Sequence, residues 1–232
     1  HATNVLGLAP AGYWPLQETS ATAPTALETN YGTLGPLGNA YYAATEPASV
    51  AFGQPGALAG DPDASVGFSG SAANPNSYAF VPRLSPALTI QAPFTLETWV
   101  KPSSTGYGLA LGEGGGTGLN ESTNFGGWQM GLGVSGGNNK FQMQYYTGLG
   151  SEANNAVASS SFFTVGRWYH YVVTYDGTTS TLYVNGSNIL STTVPNAPDT
   201  WSPLGIGAGK WDFGPIGGIR WLQGCEDEVA VY

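Results

Sequence analysis

Residues 167–186, RWYHYVVTYDGTTSTLYVNG, decide the fold. Tyr169, Tyr171, Val173 and Tyr175 fall on one face of an extended segment, and Trp168, His170, Val172 and Thr174 on the other. Asp176-Gly177 supplies a short turn, the following LYV repeats the alternation, and Asn185-Gly186 turns the chain again. Both faces carry apolar or aromatic groups, so the hairpin belongs inside a layered sheet structure. It contains almost none of the chemistry that catalysis needs.

Working outward, similar segments are expected at 11–15, 64–68, 78–81, 94–101, 127–134, 140–146, 168–175, 181–184, 204–207 and 226–232, separated by Gly, Pro, Asn and Asp. About ten strands joined by turns indicate a sandwich or jelly roll. No helix of three turns is expected; only 21–27 and 151–158 tolerate helix, as small-residue stretches without an apolar stripe. Long non-strand stretches at 17–63, 112–126 and 209–224 are the places to look for function.

The 232 residues suit one all-β domain over 1–232. With 41% hydrophobic residues, seven Trp and thirteen Tyr, the chain is too apolar for disorder. Six basic against fifteen acidic side chains give −9, so no Lys/Arg cluster is available for nucleic acid, and anionic membranes are disfavoured too. No run of about 18 apolar residues exists for membrane insertion. An acidic, Lys-poor surface suits neutral ligands or divalent cations. Cys225 is alone, which excludes an intrachain disulfide, and it reads as a small buried hydrophobe. Both ends read as cut, as in a module of an exported protein.

GYWPLQE, GDPDASVGFSGS, FTLETWVKP, RWYHYVVTYDG, TLYVNG and the closing EDEVAVY together resemble, in the same order, the laminin G-like (concanavalin A-like lectin/glucanase) jelly-roll domains of bacterial exported proteins. The resemblance implies an all-β antiparallel β-sandwich jelly roll of two stacked, curved sheets with a concave face. It also implies a secreted or cell-surface location. This fold hosts lectins, adhesion domains and glycan-cleaving enzymes, so the resemblance does not name a ligand.

Glycoside hydrolysis needs two carboxylates across the scissile bond. The fold's glucanases resemble one another in an E-x-D-x-E strand that is missing here; alternation in Glu226-Asp227-Glu228 pairs the two Glu on one face and turns Asp227 away. The fold's lyases use an Arg, Gln, His and Tyr set on the concave face. His170 and a shared face of Gln142, Gln144 and Tyr146 are the nearest match, but family members without lyase activity commonly carry His at the position of His170. A copper site built from His1 and His170 is set aside for the same reason. No catalytic residue is assigned.

The resemblance further implies a calcium ion joining an early acidic loop to the closing strand. The matching residues are Asp227 with Glu28 and Asn30, in a loop that departs from the family's usual pattern. Sugars are held by aromatic faces and planar polar groups. Residues 204–224 offer Trp211, Asp212, Arg220 and Trp221, with Trp128 and Asn138 as neighbours. The leading expectation is non-catalytic carbohydrate binding or adhesion. The alternatives are an assembly module whose aromatic loops meet a neighbouring protein subunit, and a polysaccharide-active enzyme with an unrecognised site.

Overall fold

The computed structural model describes residues 1–19, 27–43, 50–71, 77–82, 90–116, 125–134, 138–146, 154–199, 202–210 and 219–232. Alternating segments become strands of two antiparallel sheets. The first contains β1 (Gly12–Trp14), β4 (Val50–Pro55), β5 (Ala64–Ser69), β7 (Phe94–Pro102), β12 (Tyr169–Tyr175), β13 (Thr179–Val184), β14 (Ser187–Thr193) and β18 (Gln223–Val231). Its order is β14-β13-β12-β7-β18-β5-β4, with β1 against β18. The second contains β2 (Leu27–Glu28), β3 (Ala40–Tyr42), β6 (Ala79–Val81), β8 (Gly108–Gly116), β9 (Phe125–Val134), β10 (Asn138–Tyr146), β11 (Asn154–Phe162) and β15 (Leu204–Ile206). It runs β11-β10-β9-β8-β15-β6-β3-β2. A separate hairpin pairs β16 (Ala208–Lys210) with β17 (Ile219–Trp221).

One apolar cluster fills the space between the sheets. The first sheet contributes Leu96, Val100, Tyr171, Val173 and Leu182, and the second Leu111, Trp128, Met130, Phe141 and Met143. Each such side chain contributes roughly 1.5–3 kcal/mol when fully buried. Three buried tyrosines keep their hydroxyls satisfied. Tyr171 donates to the Gln142 carbonyl at 2.7 Å and Tyr145 to Ser180 Oγ at 2.6 Å, both from one sheet to the other, while Tyr175 reaches the Val194 carbonyl at 3.0 Å.

The turns follow local chemistry. Asp176 Oδ1 accepts the amides of Thr178 and Thr179 at 2.8 and 2.7 Å, bonds that hold its carboxyl below the usual range. Asn185 and Gly186 take φ of 50° and 77°, the left-handed pair that a two-residue hairpin requires. Across β12, Tyr171, Val173 and Tyr175 are buried, whereas His170, Val172 and Thr174 line the open face. His170 is a satisfied sheet residue: its Nε2 lies 2.7 Å from Glu97 Oε1 and its ring stacks on Trp99 at 4.9 Å.

Several elements depart from expectation. Residues 154–158, read as helix-tolerant, lie in β11, because Tyr146 to Gln142 of β10 offer them a registered ladder. The stretches at 17–63 and 112–126 contain β2, β3 and β4 and parts of β8 and β9. A six-residue helix, α1 (Ala2–Gly7), sets Val5 against Tyr13 and Ala230 on the outside of the first sheet. No described helix is long and apolar enough to cross a membrane. Cys225 is only partly buried, since it sits on the open face of β18 rather than in the core.

Candidate functional site

The open face of the second sheet can be followed along one row of registered residues. Leu27 faces Tyr41, Tyr41 faces Phe80, Phe80 faces Gly205, Gly205 faces Gly112, Gly112 faces Gln129, and Gln129 faces Gln144. The two glycines in the middle are there for clearance. A Cβ on Gly205 would lie 2.4 Å from the Ala208 carbonyl, and one on Gly112 would lie 2.8 Å from Gly209 Cα. The β16–β17 hairpin therefore rests directly on the sheet backbone, and a Cβ on Gly108 would strike the Trp221 carbonyl at 2.6 Å.

The hairpin divides this face into two halves. On one side Tyr41, Phe80 and Tyr78 form an aromatic run with centroids 6.3 and 6.1 Å apart, beside a 43%-exposed Leu27. On the other, Tyr107 reaches over β9, where Gly133 leaves room for its backbone, and donates its hydroxyl to Gln144 Oε1 at 3.0 Å. The exposed Arg220 places its guanidinium 5.5 Å from the centre of the Tyr107 ring. Burial pushes Tyr107 up to about 12, with the Arg220 charge pulling it partly back. Gln142 lies on the floor beside Gly131 and Leu109. A planar cation over a phenol ring, flanked by carboxamides, is suited to polar recognition of a flat or hydroxylated ligand.

The structure sorts the residues expected to bind. Arg220 is exposed and belongs to this constellation. Trp221, half-buried, packs its ring on Gly70, where a Cβ would come within 2.3 Å of its Cγ. Trp128 is a correction: it is fully buried against Phe94 with centroids 5.7 Å apart, because its position in β9 points between the sheets and offers no ring to a ligand. Asn138 opens β10 opposite Val134, and its side chain lies outside the described residues, as do Trp211 and Asp212. Tyr107 is not among the expected residues, since nothing in the turn around it marks it. Gln142 and Gln144 were seen as one face, but as part of a lyase set.

The closing carboxylates also part company. A register shift between Asp227 and Ala230, with Glu228 at φ 55°, breaks the alternation that would pair Glu226 with Glu228. Glu226 turns into the core, where Thr98 Oγ1 donates to it at 2.9 Å and burial holds it well above the usual carboxylate range. Glu228 turns outward to accept from the Tyr13 hydroxyl. Asp227 Oδ2 accepts the Ala57 amide at 2.8 Å, while its buried Oδ1 has no hydrogen-bond partner among the described residues. Burial, with Glu228 and Asp63 adding repulsion, pushes Asp227 up to about 7.

Glu28 and Asn30 have contacts of their own. Asn30 Oδ1 is occupied by the amides of Tyr13 and Gly32 at 2.8 and 2.9 Å. Glu28 accepts the Leu16 amide, and burial beside Glu18 pushes it up to about 10. The other oxygen of Glu28, Oε2, is buried with no hydrogen-bond partner among the described residues. Among the described residues, no three His, Cys, Asp or Glu gather closely enough to hold a metal ion.

A sequence model of the concanavalin A-like lectin/glucanases superfamily matches residues 72–232. The chain belongs to that superfamily. No curated protein matches it in sequence. Among solved structures it is similar to domain 4 of the extracellular arabinanase AbnA from Geobacillus stearothermophilus, solved with arabinotriose. The TM-score is 0.58 at 16% identity, covering 97% of this chain and 92% of that domain. It is also similar to the Trypanosoma rangeli sialidase solved with sialic acid, with TM-score 0.59 and 16% identity. That match covers 97% of this chain and 31% of the sialidase, so the chain spans about a third of that enzyme. At these identities the likeness is one of fold.

For a member of this superfamily, the disposition of polar groups is informative. The outward residues of β8, β9 and β10 named above carry no carboxylate, and His170 lies on the opposite sheet from Gln142 and Gln144. The lyase-like set is therefore separated by the thickness of the sandwich. The first sheet's open face carries a shallow depression of about 360 Å³, lined by Thr95, Thr174, Thr181 and Tyr232 among others.

Proposed function

We propose that the chain is a non-catalytic carbohydrate-recognition module of an exported protein, holding glycans on the polar half of the second sheet's open face. The observation that carries this reading is the Arg220–Tyr107–Gln144 constellation, set beside the glycines that keep the floor of the sheet low. The arabinotriose bound to the AbnA domain, which this chain matches over nearly all of both lengths, supports the ligand class. Retention on a glycan panel tests it. Tyr107→Ala is expected to weaken binding at least about tenfold, because it removes the ring under Arg220 and the hydroxyl that orients Gln144. Failure of the wild type to bind any glycan would sink the proposal.

A second reading, contact with another protein subunit, is favoured by exposed apolar groups away from that constellation. Leu8 is 70% exposed, Tyr31 59% and Leu37 53%. Concentration-dependent sedimentation, abolished by Leu8→Ser with Leu37→Ser, is its expected signature.

Calcium remains a proposal on narrower ground, the buried Oδ1 of Asp227 that has no hydrogen-bond partner among the described residues, with backbone carbonyls or water supplying the rest of the shell. Without metal, the folded state holds the Asp227 proton more tightly than the unfolded chain. Its contribution is thus full below the ordinary value of 3.8 and is lost as pH rises towards about 7. Asp227→Asn is expected to melt with the wild type at pH 4 and above it at pH 8 in chelator. Added Ca²⁺ should raise the wild-type melting temperature at pH 8 and leave Asp227→Asn unmoved. Equal responses of the two proteins would refute calcium at this position.

A further inference from the structure

Resting on the second sheet's polar half as a glycan surface, we propose that this surface selects carboxylate-bearing saccharides, such as uronic-acid units, with Arg220 reading the charge. Arg220 is exposed and makes no ion pair among the described residues, an unusual position in a chain with fifteen acidic and six basic side chains. A guanidinium over a ring keeps its in-plane N–H fork for a partner, and a planar carboxylate matches that fork in a bidentate manner. The Tyr107 hydroxyl is already committed to Gln144 Oε1, so the phenol supports the cation rather than competing for the ligand. The Gln144 amide NH₂ is left as a donor for sugar oxygens.

The distribution of charge agrees. Lys140 pairs with Phe162 of β11, at the edge of the second sheet, and its Nζ lies 5.5 Å from the centre of that exposed ring. Among the described residues, carboxylates instead gather beyond the first sheet, where Asp61, Asp63, Asp227 and Glu228 act on one another. An anionic saccharide is therefore repelled by that side of the sandwich and drawn to the Arg220 side. One exposed guanidinium suits one planar carboxylate; a sulfate would favour a cluster of cations.

The test compares oligogalacturonate with the same oligomer after carboxyl reduction, and with a carboxylate-free oligomer bearing sulfate, by titration calorimetry. The wild type is expected to bind the carboxylated probe at least about tenfold more tightly than the reduced one, with the advantage shrinking as salt rises. Arg220→Gln should bring the two affinities together while melting as the wild type does. Arg167→Gln, on the exposed turn between β11 and β12, should keep the preference. Equal binding of carboxylated and reduced probes overturns the charge selectivity and leaves the glycan surface standing. Preference for the sulfated probe, or preference surviving Arg220→Gln, also overturns it. Binding to none of the probes removes the glycan surface itself, and this proposal with it.

Discussion

Gly112→Val is expected to lift the β16–β17 hairpin from the second sheet and cost about 3 kcal/mol or more of stability. Overpacking of a well-filled contact ordinarily costs about 1–3 kcal/mol, when side chains can shift to relieve it. Here the first added atom lies 2.8 Å from Gly209 Cα, and backbone has no rotamer with which to yield. The valine methyls make the collision worse. Because Arg220 and Trp221 lie on that hairpin, the substitution should also disperse the Arg220–Tyr107 pair and reduce any glycan affinity. Urea denaturation measures the first effect, and amide exchange at 208–210 the second. Gly7→Ala provides the control, since a Cβ there meets nothing within 4 Å. A Gly112→Val protein with wild-type stability and protected hairpin amides would show that β16 does not rest on this position.

The same glycines explain where sequence reasoning succeeded and where it stopped. Residues 168–184 were legible because two-residue periodicity, an Asp-Gly turn and an Asn-Gly turn all agree. GLALGEGGG of β8 was read partly as loop, because glycine has no side chain to display a period and its β propensity is poor. Its strand character comes from its neighbours: β9 and β15 supply the ladder, and the missing side chains admit a hairpin above. NNAVASSSF of β11 was hidden for a related reason, since small polar residues signal neither face. Both are tertiary facts written weakly in local sequence.

Site residues follow the same logic. Arg220 was found because a charged residue next to Trp in a long glycine-rich stretch is conspicuous. Tyr107 was not, because its role depends on Gly133 and Gln144, which lie 26 and 37 positions away. In Glu226-Asp227-Glu228 the alternation was legible but the bulge was not. Only the register with β7, and the positive φ of Glu228, show that the three carboxyls face the core, the open face and Tyr13.

Trp128→Ala is expected to remove about 3–5 kcal/mol, the cost of deleting a large ring from a fully packed site. Against a total of about 5–15 kcal/mol for a typical domain, that loss is enough to unfold much of the protein on warming. Trp128 is fully buried, packs against the tilted ring of Phe94 and shares the core with Met130 and Tyr145, so no solvent can fill the space it leaves. Trp128→Phe separates volume from chemistry. The indole N–H is buried without a partner among the described residues, so phenylalanine removes an unsatisfied donor while keeping most of the packing. Its expected cost is only about 1 kcal/mol. Both variants, measured in the folded fraction at low temperature, should bind glycan as the wild type does, because the ring faces the core and Arg220 faces solvent. If Trp128→Ala stayed stable yet lost binding, its ring would have to be a ligand platform, and the inward orientation of β9 would be wrong.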